Sequence, residues 1–117
     1  MLTFEEYQVA AQSTAIYPEV GENAVYPTFG VAGESGEIAD KVKKYLLING
    51  DDPRAADLKS DPVARGKILA ELGDVLWYIT LLAMELDSSL EEVARLNNGK
   101  LGVRAQNGTL VGKGDDR

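Results

Sequence analysis

Apolar residues recur every three to four positions along much of the chain, which is the spacing of amphipathic α-helices. This pattern predicts four helices, at residues 4–16, 28–48, 62–86 and 89–98. Thr3 and Glu6 form a capping-box pattern before the first helix, and Asp61 followed by Pro62 is typical of a helix start at the third. The prediction is therefore an all-α fold, a four-helix bundle.

The segments between the predicted helices carry proline, glycine and polar residues. Residues 18–27 and 50–60 are predicted to be connections, the second with a short helical turn at 54–58. Asn98 and Gly99 either end or kink the fourth helix, or the helix continues through Lys100. From residue 106 onward the chain is rich in glycine and is predicted to be a flexible arm. The helical domain is therefore placed at residues 1–105 and the arm at 106–117.

The centre of the third predicted helix, residues 75–84, is apolar or aromatic at every position except Thr80. A helix that is apolar all round is buried on all sides, and a small four-helix monomer can rarely surround one of its own helices. We therefore expect a homo-oligomer, a dimer or a dimer of dimers, in which the third helix lies in the shared core.

Two acidic pairs lie within the second and third predicted helices: Glu34 with Glu37, and Glu71 with Asp74. The i, i+3 spacing places both carboxylates of a pair on one helical face, about 4.5 Å apart along the axis. If the two helices pack together, the four carboxylates converge and repel one another unless a cation lies between them. Such oxygen ligands suit Mg²⁺ or Mn²⁺. The alternative is a solvated acidic face.

Three glycines, Gly33, Gly36 and Gly73, lie beside these acids inside predicted helices. Each costs about 1 kcal/mol relative to alanine in a helix interior. Stability alone does not account for three of them, so we expect another backbone or a ligand to approach closely there.

Composition removes several kinds of chemistry. The chain has no histidine and no cysteine, which excludes disulfides, thiolate nucleophiles and a Ser-His-Asp triad within one chain. The net charge of −7 disfavours nucleic acid as a partner. No apolar run reaches the roughly 18 residues of a membrane span. The segment 1–6, which contains Glu5 and Glu6, does not resemble a signal peptide. A cytoplasmic location is expected.

The segment 33–44, followed by Glu71-Leu72-Gly73-Asp74 and the Trp77-Tyr78 pair, resembles the ExxE…ExxD signature of the MazG-like all-α nucleoside triphosphate pyrophosphohydrolases. The resemblance covers about residues 4–104. It implies hydrolysis of (deoxy)nucleoside triphosphates to the monophosphate and pyrophosphate, by attack of a metal-activated water on the α-phosphorus. It also implies Mg²⁺ as cofactor, with Mn²⁺ able to replace it, and the metal ligands Glu34, Glu37, Glu71 and Asp74. Glu34 and Glu37 are both candidates for the general base.

Phosphate contacts are expected from several cationic and polar side chains. Lys41 and Lys44 follow the first acidic pair and are candidates for phosphate contact, but their helical spacing favours ion pairs instead, of Lys41 with Glu37 and of Lys44 with Asp40. The segment 97–101 resembles the Asn-x-x-Lys-Leu piece that follows the last core helix in relatives, but departs from it at Gly99. The remaining candidate substrate contacts are Asn97, Lys100, Arg104 and, in a glycine-rich ending also seen in some phage members, Arg117.

The base of the nucleotide is not assigned by the sequence. Trp77 and Tyr78 are expected in the core, and Tyr17, Tyr26 and Phe29 are alternatives for stacking. The connection between the acidic pairs is longer than in the shortest relatives, which leaves substrate choice open. Rival functions are a dUTPase-like or phosphoribosyl-ATP pyrophosphohydrolase, or a non-catalytic helical oligomerisation module. If the protein is phage-encoded, the host cytoplasm is its expected location.

Overall fold

In a computed structural model, which describes residues 1–49, 58–112 and 114, the chain is all-helical, as predicted. Its α-helices are α1 (Phe4–Ser13), α2 (Val25–Asn49), α3 (Pro62–Glu85) and α4 (Leu90–Gln106). No strand occurs among the described residues. Most of the helical turn predicted at 54–58 lies outside them.

The start of α1 and of α3 agrees with the predicted caps. The Thr3 amide donates to Glu6 Oε2 at 2.8 Å, and the Glu6 amide donates to Thr3 Oγ1 at 3.1 Å. Asp61 Oδ1 accepts from the amides of Val63 and Ala64, at 3.1 Å each. These side chains satisfy backbone donors that have no partner in the first turn of a helix.

Two boundaries differ from the prediction near the first connection. α1 ends at Ser13, three residues early, where the hydroxyls of Ser13 and Thr14 bond back to carbonyls of the preceding turn. α2 begins at Val25, three residues early. Asn23 Oδ1 accepts from the Tyr26 amide at 3.1 Å. Pro27 falls in the first turn, where a missing donor costs nothing.

The largest difference is at α4, which continues eight residues beyond the predicted end at 98. Gly99 does not end it, because one glycine costs a helix interior only about 1 kcal/mol. The chain then turns at Gly108, where φ is +69°, and folds back: the Thr109 amide donates to the Arg104 carbonyl at 2.8 Å. Thr109 and Gly114 of the expected arm therefore contact Arg104 of α4, whereas Val111 is exposed; the flexibility of the arm stays a prediction.

The long helices α2 and α3 form an antiparallel pair, since Gly30 lies against Tyr78 while the later Lys41 pairs with the earlier Glu71. In the described part of the chain, α2 packs only on α3, whereas α1, α3 and α4 pack on one another. Trp77 Nε1 of α3 donates to Thr14 Oγ1 at 2.9 Å. The buried residues of α3, Thr80, Leu81 and Ala83, lie in its C-terminal half.

Burial of α3 is less complete in a single chain than its composition led us to expect. Thr80, Leu81 and Ala83 are buried. Leu69 and Leu72, about two to four turns earlier, are each 48% exposed. No helix of the described residues is both long and apolar enough to cross a membrane.

Candidate metal centre and nucleotide site

Three of the four predicted metal ligands come together between α2 and α3. Glu34 of α2 and the α3 residues Glu71 and Asp74 each place a carboxylate oxygen within 4.8 Å of the others. The i, i+3 spacing puts Glu71 and Asp74 on one face of α3, where Glu71 is half-buried and Asp74 is exposed. Three carboxylate oxygens converging from two helices fit the ligand preferences of Mg²⁺ and Mn²⁺.

The electrostatics of this group favour a cation. Burial, followed by the charges of Asp74 and Glu71, raises the pKa of Glu34 above its ordinary value. Burial and the charge of Asp74 likewise raise the pKa of Tyr7, on α1. A positive ion among these oxygens would offset the carboxylate repulsion, which adds to the effect of burial in both shifts.

Glu37, the fourth predicted ligand, is not part of the group of three. It lies on α2 about one turn after Glu34 and is exposed. Its charge still contributes to the raised pKa of Glu34, so it lies within electrostatic reach. The structure therefore places Glu37 at the edge of the acidic group.

Of the two ion pairs predicted for Lys41 and Lys44, the structure shows one. Lys44 Nζ lies 2.7 Å from Asp40 Oδ2, as predicted. Lys41 does not pair with Glu37 within α2 but crosses to Glu71 of α3, with Nζ 3.0 Å from Oε1. The antiparallel packing presents Glu71 to Lys41, and a contact between helices is invisible to i, i+4 counting.

Beside the acidic group is a cavity of about 620 Å³, within the size range of small-ligand sites. Its acidic end carries Glu37 and Glu71, with Lys41 and Lys44 nearby. Apolar side chains line much of the rest: Tyr45, Ile48, Val63, Ala64 and Ile68. Lys67, which the sequence reading did not single out, also lines it. Charged and apolar walls together suit a ligand with an anionic end and an apolar end.

The other predicted substrate residues lie elsewhere in the chain. Asn97 and Lys100 are exposed on α4 beside Val93 and Leu96. Arg104 is only 4% exposed and its Nη2 donates to the Gly114 carbonyl at 3.4 Å. All described residues lining the 620 Å³ cavity come from α2, α3 and the turn before α3, so one chain does not bring these three residues to it. Arg117 lies outside the described residues.

Aromatic side chains form a row that approaches the acidic group. Tyr17 and Tyr26 stack with ring centres 4.9 Å apart, Tyr26 lies 6.3 Å from Tyr78, and Trp77 meets the edge of Tyr78 at 4.9 Å. Trp77 and Tyr78 are half-buried, which agrees with the expectation that they pack in the interior. The sequence analysis placed Tyr78 beside the second acidic pair, and its position four residues after Asp74 puts it one helical turn from that carboxylate.

A close approach was expected at Gly33, Gly36 and Gly73, but within the chain it occurs at Gly30 instead. A Cβ added at Gly33, Gly36 or Gly73 would meet no atom within 4 Å, whereas one at Gly30 would lie 2.2 Å from Tyr78 Cδ1. Approach of a ligand or a second chain at the first three glycines stays a prediction.

Comparison with known proteins identifies a family whose match includes the residues of the acidic group. The model of the MazG nucleotide pyrophosphohydrolase domain matches residues 28–109, a range that includes both acidic pairs and confirms the resemblance seen in the sequence. The Gene 37 protein of Mycobacterium phage L5 is 44% identical over 116 residues, covering 95% of this chain and 96% of that protein. No solved structure matches the chain. On the extent of the family match, the chain belongs to the MazG nucleotide pyrophosphohydrolase domain family.

Proposed function

We propose that the protein hydrolyses (deoxy)nucleoside triphosphates to the nucleoside monophosphate and pyrophosphate, with Mg²⁺ as its cofactor and Mn²⁺ able to replace it. The observation that carries the proposal is the convergence of Glu34, Glu71 and Asp74 within 4.8 Å, in a chain of this family. We assign these three residues to the metal, with Glu37 completing the ligand set or acting beside it. The phage relative supports the host cytoplasm as the setting.

In this reaction a water oxygen bonds to the α-phosphorus while the bond from that phosphorus to the bridging oxygen breaks. Pyrophosphate leaves with the bridging oxygen, and a carboxylate accepts the proton of the water. When bound, a divalent ion offsets phosphate charge and lowers the pKa of a coordinated water. We favour Glu37 over Glu34 as the proton acceptor, because Glu37 lies outside the group of three and lines the cavity.

We propose that the cavity between α2 and α3 holds the nucleotide. Lys41, Lys44 and Lys67 supply positive charge for phosphates, and the apolar wall formed by Val63 and Ile68 faces the remaining part of the ligand. Phosphate contact by Asn97, Lys100, Arg104 and Arg117 stays a prediction.

We also propose that the protein is a homo-oligomer, a dimer or a dimer of dimers, assembled through α3. Leu69, Leu72 and Leu76 follow one another at three- and four-residue spacing and are 48%, 48% and 37% exposed. Gly73 lies in the same stripe with no atom near its Cβ position. A second copy would cover this apolar face and could approach closely at the glycine.

The activity is tested with purified protein and a panel of ribo- and deoxynucleoside triphosphates, dUTP and phosphoribosyl-ATP, with Mg²⁺, with Mn²⁺ and with chelator. The expected products are a monophosphate and pyrophosphate, formed only with metal. Preference for dUTP or phosphoribosyl-ATP would select one of the narrower activities. A diphosphate with orthophosphate would contradict attack at the α-phosphorus, and no turnover of any nucleotide would favour a non-catalytic oligomerisation module.

If Glu34 binds the metal and Glu37 accepts the proton, substituting each glutamate should have a different effect on metal binding and turnover. Glu34→Gln should weaken Mn²⁺ binding and abolish turnover. Glu37→Gln should retain most Mn²⁺ affinity yet lose about 100-fold or more in kcat, the usual contribution of a general base. Binding is measured by Mn²⁺ electron paramagnetic resonance without nucleotide, and turnover by pyrophosphate release. The control Glu91→Gln, on the exposed first turn of α4, should change neither. Equal loss of Mn²⁺ affinity in both variants would make Glu37 a ligand instead.

A further inference from the structure

The closest contact between α2 and α3 at a glycine is made by the ring of Tyr78. A Cβ built on Gly30 would lie 2.2, 2.3 and 2.5 Å from Cδ1, Cε1 and Cγ of that ring. No real Cβ tolerates such distances, so the ring occupies the space that any other residue at position 30 would fill. Gly30 lets an aromatic ring rest directly on the backbone of α2.

This contact lies next to the acidic group along both helices. Gly30 precedes Glu34 by four residues on α2, and Tyr78 follows Asp74 by four residues on α3. Because the helices are antiparallel, Gly30 faces Tyr78 in one layer, and Glu34 faces Asp74 in the next layer, about one helical turn away. The separation of the helix backbones at Gly30 therefore sets the separation at Glu34 and Asp74.

The ring cannot easily give way. The affected atoms include Cγ, at the root of the ring, so a small rotation of the ring does not clear a Cβ at position 30. The ring also has aromatic neighbours that limit its movement: the ring centre of Trp77 is 4.9 Å away in an edge contact, and that of Tyr26 is 6.3 Å away. A larger residue at position 30 would therefore push the helices apart rather than displace the ring alone.

We infer that Gly30 and Tyr78 form a spacer that fixes the distance between α2 and α3 and thereby positions Glu34, Glu71 and Asp74 to bind a divalent cation. Both are positioning residues; neither is assigned as a ligand. The inference rests on the metal site of the proposed function and adds the pair that determines its dimensions.

The test measures Mn²⁺ affinity by electron paramagnetic resonance in the absence of nucleotide, so it does not depend on turnover. Gly30→Ala should weaken Mn²⁺ binding about tenfold or more, the usual effect of losing support behind metal ligands. Tyr78→Leu should do the same, whereas Tyr78→Phe, which keeps the ring, should stay within about twofold. In a Tyr78→Ala background, adding Gly30→Ala should change the affinity by less than about twofold, because the ring that it meets is gone.

Gly66→Ala is the matched control, since Gly66 is also a helical glycine but has nothing within 4 Å of its Cβ position. It should leave Mn²⁺ affinity unchanged. Unchanged affinity in both Gly30→Ala and Tyr78→Leu, with normal binding by the wild type, overturns the spacer alone. Loss in Tyr78→Phe as large as in Tyr78→Leu would assign the effect to the hydroxyl and also overturn it. No Mn²⁺ binding by the wild type would overturn both the spacer and the proposed metal site. The comparison of Tyr78→Phe with Tyr78→Leu decides the matter even if Gly30→Ala does not fold.

Discussion

Lys41 is the residue through which the two helices of the candidate site share charge. Its Nζ lies 3.0 Å from Glu71 Oε1, and the Glu71 side chain is only 15% exposed. The bond to Glu71 and its charge raise the pKa of Lys41, so the lysine stays charged at neutral pH. Without a metal ion, Lys41 is the cation that partly balances the acidic group.

Lys41→Met should therefore lower the melting temperature of the metal-free protein, and the loss should shrink at saturating Mg²⁺. The reason is that the bound ion supplies the positive charge that the variant lacks and stabilises the folded state by mass action. Thermal unfolding followed by circular dichroism, with chelator and with Mg²⁺, measures both differences.

Lys43→Met is the control for this prediction, because the Lys43 side chain is 77% exposed and pairs with Asp40 at 3.4 Å, away from Glu71. It should change the melting temperature little in either condition. A loss in Lys41→Met that is the same with chelator and with Mg²⁺ would show that Lys41 does not offset the charge of the metal site.

At the scale of elements, Glu85 ties the connection between α1 and α2 to the end of α3. Its Oε1 accepts from the Tyr17 hydroxyl and from the Gly21 amide at 2.9 Å, and its Oε2 accepts from the Asn23 amide at 3.1 Å. Gly21 has φ +96°, a conformation that suits glycine. Asn23 caps α2, so Glu85 helps to set where α2 begins and how the aromatic row of Tyr17 and Tyr26 is placed.

Glu85→Gln should destabilise the fold by about 1 kcal/mol, because a neutral amide replaces charge-assisted acceptors at a partly exposed position. The effect should depend on pH. The hydrogen bond from Tyr17, then the Gly21 amide, lowers the pKa of Glu85 below its ordinary 4.5. A depressed pKa contributes stability that is present above the unfolded value and lost as pH falls through the folded value.

Urea unfolding of wild type and Glu85→Gln between pH 3 and 7 measures this difference. The gap in unfolding free energy should be constant at neutral pH and close below about pH 4.5. Glu22→Gln, in the same connection but with an exposed side chain, should show no gap at any pH. A gap for Glu85→Gln that persists at pH 3 would mean that its carboxylate charge does not carry the stabilisation.

At the scale of the whole molecule, a single chain leaves more apolar surface exposed than is usual for a stable monomer. The chain is 44% hydrophobic, yet the buried apolar side chains among the described residues are few: Ala11, Tyr17, Pro27, Leu81, Ala83 and Leu90. Among the described helices, α2 packs on α3 alone, and its Phe29 is 73% exposed. Contiguous exposed apolar surface of this kind marks a protein interface, which supports the proposed oligomer.

Leu69→Lys should convert the oligomer to a monomer while leaving the helices intact. Leu69 is 48% exposed in the single chain, so a lysine there is tolerated by the monomer but costly to bury between copies. Light scattering with size-exclusion chromatography should report the mass of one chain, 12.6 kDa, for the variant and a multiple of it for the wild type. Val9→Lys, a 62% exposed position on α1, should keep the wild-type mass. A monomeric wild type would contradict the proposal.

The helices themselves were predictable because their signals are local. The caps at Thr3 and Asp61 use partners two or three residues away, and the periodicity of apolar residues needs only a few turns to be recognised. The predicted boundaries were wrong where a local signal was ambiguous. Pro27 was assigned to a loop although it fits a first turn. Gly99 left open whether the fourth helix ends, kinks or continues, and α4 continues to Gln106.

The sequence by itself determined that the chain is all-helical, that Glu71 and Asp74 share a face, and that the family's acidic signature is present. Only the tertiary structure decided that Glu34 joins those two acids while Glu37 lies at their edge, that Lys41 crosses to Glu71, and that Gly30 receives the ring of Tyr78. The physical reason is range. Spacing along one helix is set by its own geometry, whereas the register between α2 and α3 depends on how two surfaces fit, and the residues that meet there are 30 to 48 positions apart in sequence.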